Sequence, residues 1–373
     1  MLNSIVIGVE PLSLINFRGQ LLKDLSNTGC SVTTLSNLPT AAQIEKLNDL
    51  GVDSKTVHFS RRKLSVYADI KVFFELVNMF RRMKPSLILA YTIKPVIWGG
   101  LASRFINVDF YALITGMGFA FQGTTLKRKM LTKLVVFLYK IALKNSKAVI
   151  FQNSDNRDLF VENEIVDVSK TFVVNGSGVD LKFYDYKELP KGNVIFLCIA
   201  RLISEKGLRE YAAAAKLVKS SFPNVELLLV GPEEPSEDAI HIDEVNSWSE
   251  YVHYRGPVSD VREYIEHSHV FVLPSYHEGI PRSTLEAMSM GRPILTTDAV
   301  GCKNTVDNDI NGFKVPVGSI EELAEKMIWF IKNSDKIESM GLESRKMIRN
   351  KFDVDKVNSE MLKIMGLVDE TSF

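Results

Sequence analysis

The chain reads as an α/β protein with two Rossmann-like, doubly wound domains, and three features predict this. Near-continuous Val/Ile/Leu runs recur at 4–9, 86–92, 110–116, 148–153 and 170–175, then at 194–200, 225–231, 269–275 and 293–298. Runs of this length suit parallel strands buried on both faces. Helical segments such as 205–221 and 321–333 alternate with them, as winding a sheet on both sides requires. A polar, irregular stretch at 180–193 separates the two sets and is expected to be the linker.

The length of 373 residues is ample for one or two self-sufficient cores. Formal net charge is zero, yet its halves differ. Residues 1–150 hold 20 Lys+Arg against 8 Asp+Glu, a balance of +12, which leaves −12 for 151–373. A basic first half faces something anionic: nucleic acid, a membrane surface or a lipid diphosphate. No zinc-ligand spacing or basic repeat favours nucleic acid, so an anionic membrane surface is the expected partner. Cys30, Cys198 and Cys302 are few, odd in number and far apart, which fits a reducing, cytoplasmic setting. The N-terminus reads as a first strand rather than a signal peptide, and no apolar run reaches the roughly 18 residues of a membrane span.

In chain order, the first strand leads into Gly8-Val9-Glu10-Pro11, and the turn continues to Gly19 without Gly-x-Gly-x-x-Gly spacing. That disfavours a dinucleotide dehydrogenase. The segment 125–144 is basic and apolar together; as a helix it places Leu131, Leu134, Val135, Leu138 and Ala142 on one face. That face suits the core, while its cations, with Arg61-Arg62-Lys63 and Arg81-Arg82, suit anionic headgroups. Glycines in Val174-Asn175-Gly176-Ser177-Gly178-Val179-Asp180 mark a turn after a strand. Arg201 and Lys206 lie five apart across a strand-to-helix turn, where two cations and a helix start can converge on one diphosphate, or simply lie on the surface beside Glu205.

The most informative segment is Glu278-Gly279-Ile280-Pro281-Arg282-Ser283-Thr284-Leu285-Glu286-Ala287-Met288, between the strands at 269–275 and 293–298. Gly279 permits close backbone approach, Pro281 suits a first helical turn and Ser283 can cap it. A helix start there aims N–H groups and a positive dipole end at an anion. Carboxylates at 278 and 286 accept strong hydrogen bonds from sugar hydroxyls; two solvated acids on a capped helix would look the same.

These glutamates, the Gly-x-Pro between them and the following Glu-Ala-Met-x-x-Gly-x-Pro resemble the donor-site motif of family 4 retaining glycosyltransferases. The resemblance implies a GT-B fold, two Rossmann-like domains facing a cleft. Residues 1–180 would bind the acceptor and 181–352 the nucleotide sugar, with the helix in 353–373 packing back on the first domain. It assigns Arg201 and Lys206 to the donor diphosphate and Glu278 to sugar hydroxyls, these three being the catalytic set. Glu286 would hold ribose hydroxyls, with Gly279, Ile280 and Pro281 lining the same site. Val258, in Arg255-Gly256-Pro257-Val258-Ser259, falls in the loop that pairs with the base.

Two departures from the family pattern stand out. Asn304 occupies a position where many members carry Glu. Leu113-Ile114-Thr115-Gly116-Met117-Gly118 lacks a first-domain His and resembles, as does Tyr91-Thr92-Ile93-Lys94-Pro95, a subgroup extending polyprenyl-diphosphate-linked oligosaccharides. Gly116, Gly118 and Lys94 would then border the acceptor, although Lys94 also reads as a general surface lysine. His277 could line the site or pack. Asp307-Asn308-Asp309 and Asp353-Val354-Asp355 read as structural, and no metal or other cofactor is expected.

The resemblance implies retaining transfer by same-face attack from a UDP-hexose or UDP-N-acetylhexosamine, best UDP-N-acetylgalactosamine. The acceptor would be a sugar on undecaprenyl diphosphate in O-antigen, capsule or glycan assembly, through an α-1,3 linkage. A non-hydrolysing UDP-sugar epimerase and a catalytically silent sugar-nucleotide-binding partner are the alternatives.

Overall fold

The computed structural model describes residues 2–60, 66–116, 126–234, 236 and 238–369. Gly118 and the Arg61-Arg62-Lys63 cluster lie outside these residues. The chain divides into two compact units, Met1–Ser177 with Lys356–Phe373, and Gly178–Asp355.

The first unit carries strands β1 (Asn3–Ile7), β2 (Ser31–Ser36), β3 (Val52–Thr56), β4 (Leu87–Tyr91), β5 (Asp109–Ile114), β6 (Ala148–Phe151) and β7 (Thr171–Val173). They form one parallel sheet in the order β3-β2-β1-β4-β5-β6-β7. Its helices are α1 (Pro11–Asn27), α2 (Ala41–Asp49), α3 (Val66–Met83), α4 (Ile93–Ser103), α5 (Leu126–Leu143) and α6 (Ser154–Glu162). Strand residues alternate between two cores, because successive side chains point to opposite faces. Ile5, Ile7, Ile88 and Ala90 join α3, α4 and α5 in one core. Val6, Leu87 and Leu89 join α1 in the other.

The second unit carries β8 (Ile195–Ile199), β9 (Glu226–Val230), β10 (His253–Tyr254), β11 (Val270–Leu273), β12 (Ile294–Thr297) and β13 (Gly312–Val315), all parallel. Their order is β10-β9-β8-β11-β12-β13, so in both sheets strand order reverses beside the unit's first strand. Its helices are α7 (Leu208–Ser221), α8 (Ile242–Asn246), α9 (Arg262–Glu266), α10 (Arg282–Ser289), α11 (Ile320–Lys332) and α12 (Ile337–Met347). The last helix, α13 (Val354–Ile364), counts with the first unit from Lys356 onward. There Val357, Met361 and Leu362 enter the α1 core, and Asn358 donates to Asp24 at 2.6 Å.

The stretch 180–193, expected as a linker, is fastened to the second unit. Fully buried Arg292 donates to the carbonyls of Lys187 (2.8 Å) and Glu188 (3.1 Å), and also to those of Ile265 and Glu266. Ser289 donates to Tyr184 O at 2.6 Å. A guanidinium satisfied by four backbone oxygens converts an irregular segment into part of the core wall.

The core face of α5 is also set differently from the expected one. Val135, Tyr139, Ala142 and Leu143 are buried, Leu131 and Leu138 half-buried, and Leu134 exposed. The rotation brings Tyr139 against Phe160, 5.2 Å between ring centroids, which an aliphatic tally of the face passes over. Both Asp-x-Asp pairs close local turns: Asn308 accepts from Lys314 N, and Asp353 from Asp355 N. No helix is long and apolar enough to cross a membrane among the described residues.

Candidate functional site

In a parallel open sheet the loops at the carboxyl ends of neighbouring strands part where the order reverses, leaving backbone groups exposed to a ligand. In the second unit this occurs between β8 and β11. Arg201 and Lys206 follow β8, and Glu278 through Pro281 follow β11. Their packing depends on Gly207, which adopts φ +67° and whose bare Cα lies against Pro274; a Cβ there would fall 2.0 Å from the Pro274 carbonyl oxygen. Tyr276 N also donates to Glu205 O at 2.9 Å, so the two loops are held backbone to backbone.

Lys206 Nζ pairs with Glu278 Oε1, and Ser275 Oγ donates to the same oxygen at 3.0 Å. Both side chains are nearly buried, 13% and 14% exposed, so the pair is screened little by water. The Glu278 backbone is fixed in turn by the loop after β12: its N–H donates to Val300 O at 2.9 Å. Gly301 packs so closely there that a Cβ would lie 2.4 Å from Glu278 O. Cys302, in the loop after β12, is fully buried, and burial first and Glu278 next push its thiol up to about 12.

Arg201 takes a different partner from Lys206. It is half exposed and pairs with Glu234, in the loop after β9. The two cations expected on one diphosphate therefore each hold a carboxylate of their own. Glu234 and Ser275 escaped the reading of the sequence; the signal for Glu234 was Gly231-Pro232-Glu233-Glu234 directly after a buried strand, as Arg201 lies in the loop directly after β8. Half-buried Glu205 lies among these charges, its carboxyl raised by burial first and by Asp238 next.

α10 begins at Arg282 because Pro281, at φ −71° and ψ 114°, takes the N-cap position. Ser283 is not the cap: its hydroxyl donates to Ile199 O at 3.0 Å, fastening α10 to the end of β8. Ile280 is 9% exposed, and Gly279 lies in the turn beside it. Glu286, one turn along α10, is buried, accepts from Arg282 Nε at 3.1 Å and is also bonded by the Tyr184 hydroxyl. Burial raises its carboxyl and raises Tyr184 further, with Glu286 as the second cause. Val258 belongs to the loop after β10, which is held to β9 by Gly231 N donating to Gly256 O at 3.0 Å. Asn304, in the turn after Gly301, buries its side-chain oxygen without a hydrogen-bond partner.

The first unit has its own reversal, between β1 and β4. Lys94, in the first turn of α4, is no general surface lysine: its ammonium bonds Asp69 of α3 at 2.8 Å, with 18% and 8% exposure. Before it Thr92 holds φ +68° and ψ 162°, unusual for a β-branched residue, with its hydroxyl buried and unpartnered. Gly116 follows the end of β5. Among the described residues no three His, Cys, Asp or Glu side chains gather as a metal cluster.

Comparison with known proteins agrees with this architecture. A family model for glycosyl transferases group 1 matches residues 193–333, and a glycosyl transferase 4-like model matches 15–153. A Campylobacter jejuni N,N'-diacetylbacillosaminyl-diphospho-undecaprenol alpha-1,3-N-acetylgalactosaminyltransferase is 29% identical over 84% of this chain and 85% of its own. An Escherichia coli UDP-Gal:alpha-D-GlcNAc-diphosphoundecaprenol alpha-1,3-galactosyltransferase is 26% identical over 79% of each. Among solved structures, sucrose-phosphate synthase from Thermosynechococcus elongatus superposes with a TM-score of 0.82 at 18% identity, covering 98% of both chains. Anabaena HepE with UDP and glucose gives 0.79 at 18% identity over 99% of this chain and 100% of the other. Matched in each of its units by a glycosyltransferase model and wound throughout as GT-B, the chain belongs to the family 4 glycosyltransferases.

Proposed function

We propose that this enzyme transfers a hexose or N-acetylhexosamine, best N-acetylgalactosamine, from a UDP-sugar to a sugar carried on undecaprenyl diphosphate. The product would serve surface-polysaccharide or glycan assembly at a membrane surface. The observation that carries the donor half is the Lys206–Glu278 pair at the reversal of the second sheet, beside the start of α10. It sets a buried cation and a carboxylate side by side, as a ligand combining a diphosphate with a sugar demands. The acceptor half is supported by the names of the two relatives, both of which act on sugars linked to diphospho-undecaprenol.

In this reading Lys206 and Arg201 offset the charge of the donor diphosphate, and the first turn of α10 adds its N–H groups. Glu278 accepts hydrogen bonds from the sugar and Glu286 from the ribose, while the Val258 loop meets the base. Transfer retains configuration. The bond between the anomeric carbon and the phosphate oxygen breaks, and UDP leaves with that electron pair. The acceptor hydroxyl oxygen attacks from the same face, and its proton passes to the departing phosphate oxygen. Two protein cations carry the counter-charge, so no bound metal takes part. On the acceptor side Lys94 and Gly116 would meet the saccharide or its diphosphate.

The test is transfer from a panel of UDP-sugars to polyprenyl-diphosphate-linked N-acetylhexosamine in the presence of EDTA, with the product linkage read by NMR. An α-1,3-linked product from one donor supports the whole reading. A β linkage would overturn retention, and activity recovered only with added Mg²⁺ or Mn²⁺ would overturn the metal-free step.

A further inference from the structure

Helices α3, α4 and α5 cover one face of the first sheet, and their outer surface is unusually apolar. α3 buries Val72, Leu76, Val77 and Phe80 but exposes Tyr67 (83%), Ile70 and Phe74 (58%). α5 exposes Met130 (73%), Leu134 and Phe137 (58%) while burying Val135 and Tyr139. Steps of three and four residues place each trio in one stripe along its helix. Phe105, just past the end of α4, is also exposed and stacks on Phe73, which in turn stacks on Phe74, with centroids 5.5 and 5.2 Å apart. Neighbouring helices therefore present apolar stripes to solvent in one layer, a pattern that marks a covered surface.

The charges around these stripes identify what covers them. Lys71, Arg81 and Arg82 on α3 and Lys129 and Lys133 on α5 are exposed. α5 contains no acidic residue. Of the acids on α3, Asp69 is bound to Lys94, and Glu75 lies beside His58 at 3.4 Å. A second copy of the chain, meeting this face symmetrically, would oppose cation to cation. An anionic lipid surface answers both features: its acyl boundary takes the apolar side chains and its headgroups take the lysines and arginines.

We infer that the outer face of α3–α5, through Tyr67, Ile70 and Phe74 with Met130, Leu134 and Phe137, is the surface by which the enzyme docks on an anionic bilayer. This deepens the reading that its acceptor is lipid-linked, and assigns the docking to apolar insertion as well as to charge.

The experiment is flotation of the full chain with vesicles of phosphatidylcholine, alone or mixed with phosphatidylglycerol. Wild type floats with the mixed vesicles and far less with phosphatidylcholine alone. M130S/L134S/F137S, whose fold is checked by circular dichroism, loses binding about tenfold or more, and K129Q/K133Q loses the salt-sensitive part. Transfer to a water-soluble, short-prenyl acceptor stays at the wild-type rate in the triple variant, while transfer to a vesicle-embedded acceptor falls. Vesicle binding without transfer to either acceptor would sink the lipid-linked reading and leave the docking face standing. Wild-type chain that ignores mixed vesicles, or a triple variant that binds like wild type, overturns the inference. A dimer abolished by the triple variant would overturn it too and give the face to a second copy.

Discussion

Lys206 and Glu278 stand 72 positions apart in sequence, yet their side chains meet across the point where the second sheet reverses its strand order. Ser275 adds a second bond to the same carboxylate oxygen, so the pair is held in place before any ligand arrives. A preorganised charge pair costs no rearrangement when charge develops on a leaving group.

Removing one partner should therefore damage both fold and transfer. K206A or E278A is expected to lower turnover about 10²–10³-fold. Each should also destabilise the protein by about 1–3 kcal/mol, because the remaining group keeps its desolvation without its partner. The double variant K206M/E278Q should regain much of the stability and none of the activity. Thermal melts alongside turnover decide it: a double variant as unstable as the singles would show that the loss comes from the pair itself and not from a charge left unpaired.

Arg201 is held by Glu234, and in the proposed function an incoming diphosphate would compete with that carboxylate. E234Q is expected to tighten UDP binding several-fold and R201A to weaken it, with stability changing by about 1 kcal/mol or less in both, since the pair is half exposed. Titration calorimetry at two salt concentrations checks this. Unchanged affinity in E234Q would place Arg201 away from the phosphates.

Glu286 supplies a pH test. Burial raises its carboxyl above the ordinary value of 4.5, so the folded state holds a proton that the unfolded state releases. Its contribution to stability therefore falls as pH rises from 4.5 through the raised value. E286Q should flatten that slope, while UDP binding in the wild type strengthens over the same window as the carboxylate forms. Melting temperature against pH for the two proteins reads the first effect; parallel curves would contradict it.

Thr92 combines a positive φ with a buried hydroxyl lacking a partner. Such backbone costs of order 1–3 kcal/mol in a β-branched residue, and glycine gives back part of that through unfolded-chain entropy. T92G is expected to raise stability by about 1 kcal/mol, measured by denaturant midpoint. A loss would mean that the hydroxyl or methyl group packs more favourably than its torsion suggests.

Strands buried on both faces, such as β4 and β11, were legible because Leu-Ile-Leu-Ala-Tyr and Val-Phe-Val-Leu leave no polar alternative. β2 was not, although it is equally buried, because Ser-Val-Thr-Thr-Leu-Ser hides its hydroxyls in hydrogen bonds such as Thr34 to Asp53 O. The motif residues of the second unit could be marked along the chain, since each follows a strand that the apolar runs reveal. Their partners could not: spacing carries no information on which carboxylate an arginine meets, so Glu234 for Arg201 and Asp69 for Lys94 became visible only in three dimensions. The outward turn of Leu134 escaped for a related reason, because a helix hydrophobic over most of its girth does not declare its core side.

The placement of α13 sets an order of assembly. Val357, Met361 and Leu362 complete the core around α1, and Tyr111 donates its hydroxyl to Met365 O at 3.2 Å. During synthesis, then, the first unit to leave the ribosome is the last to be finished. The intervening 178–355 can close its own core while the opening half still waits with part of its apolar surface uncovered. A nonsense mutation late in the gene would thus injure the beginning of the protein, not its end.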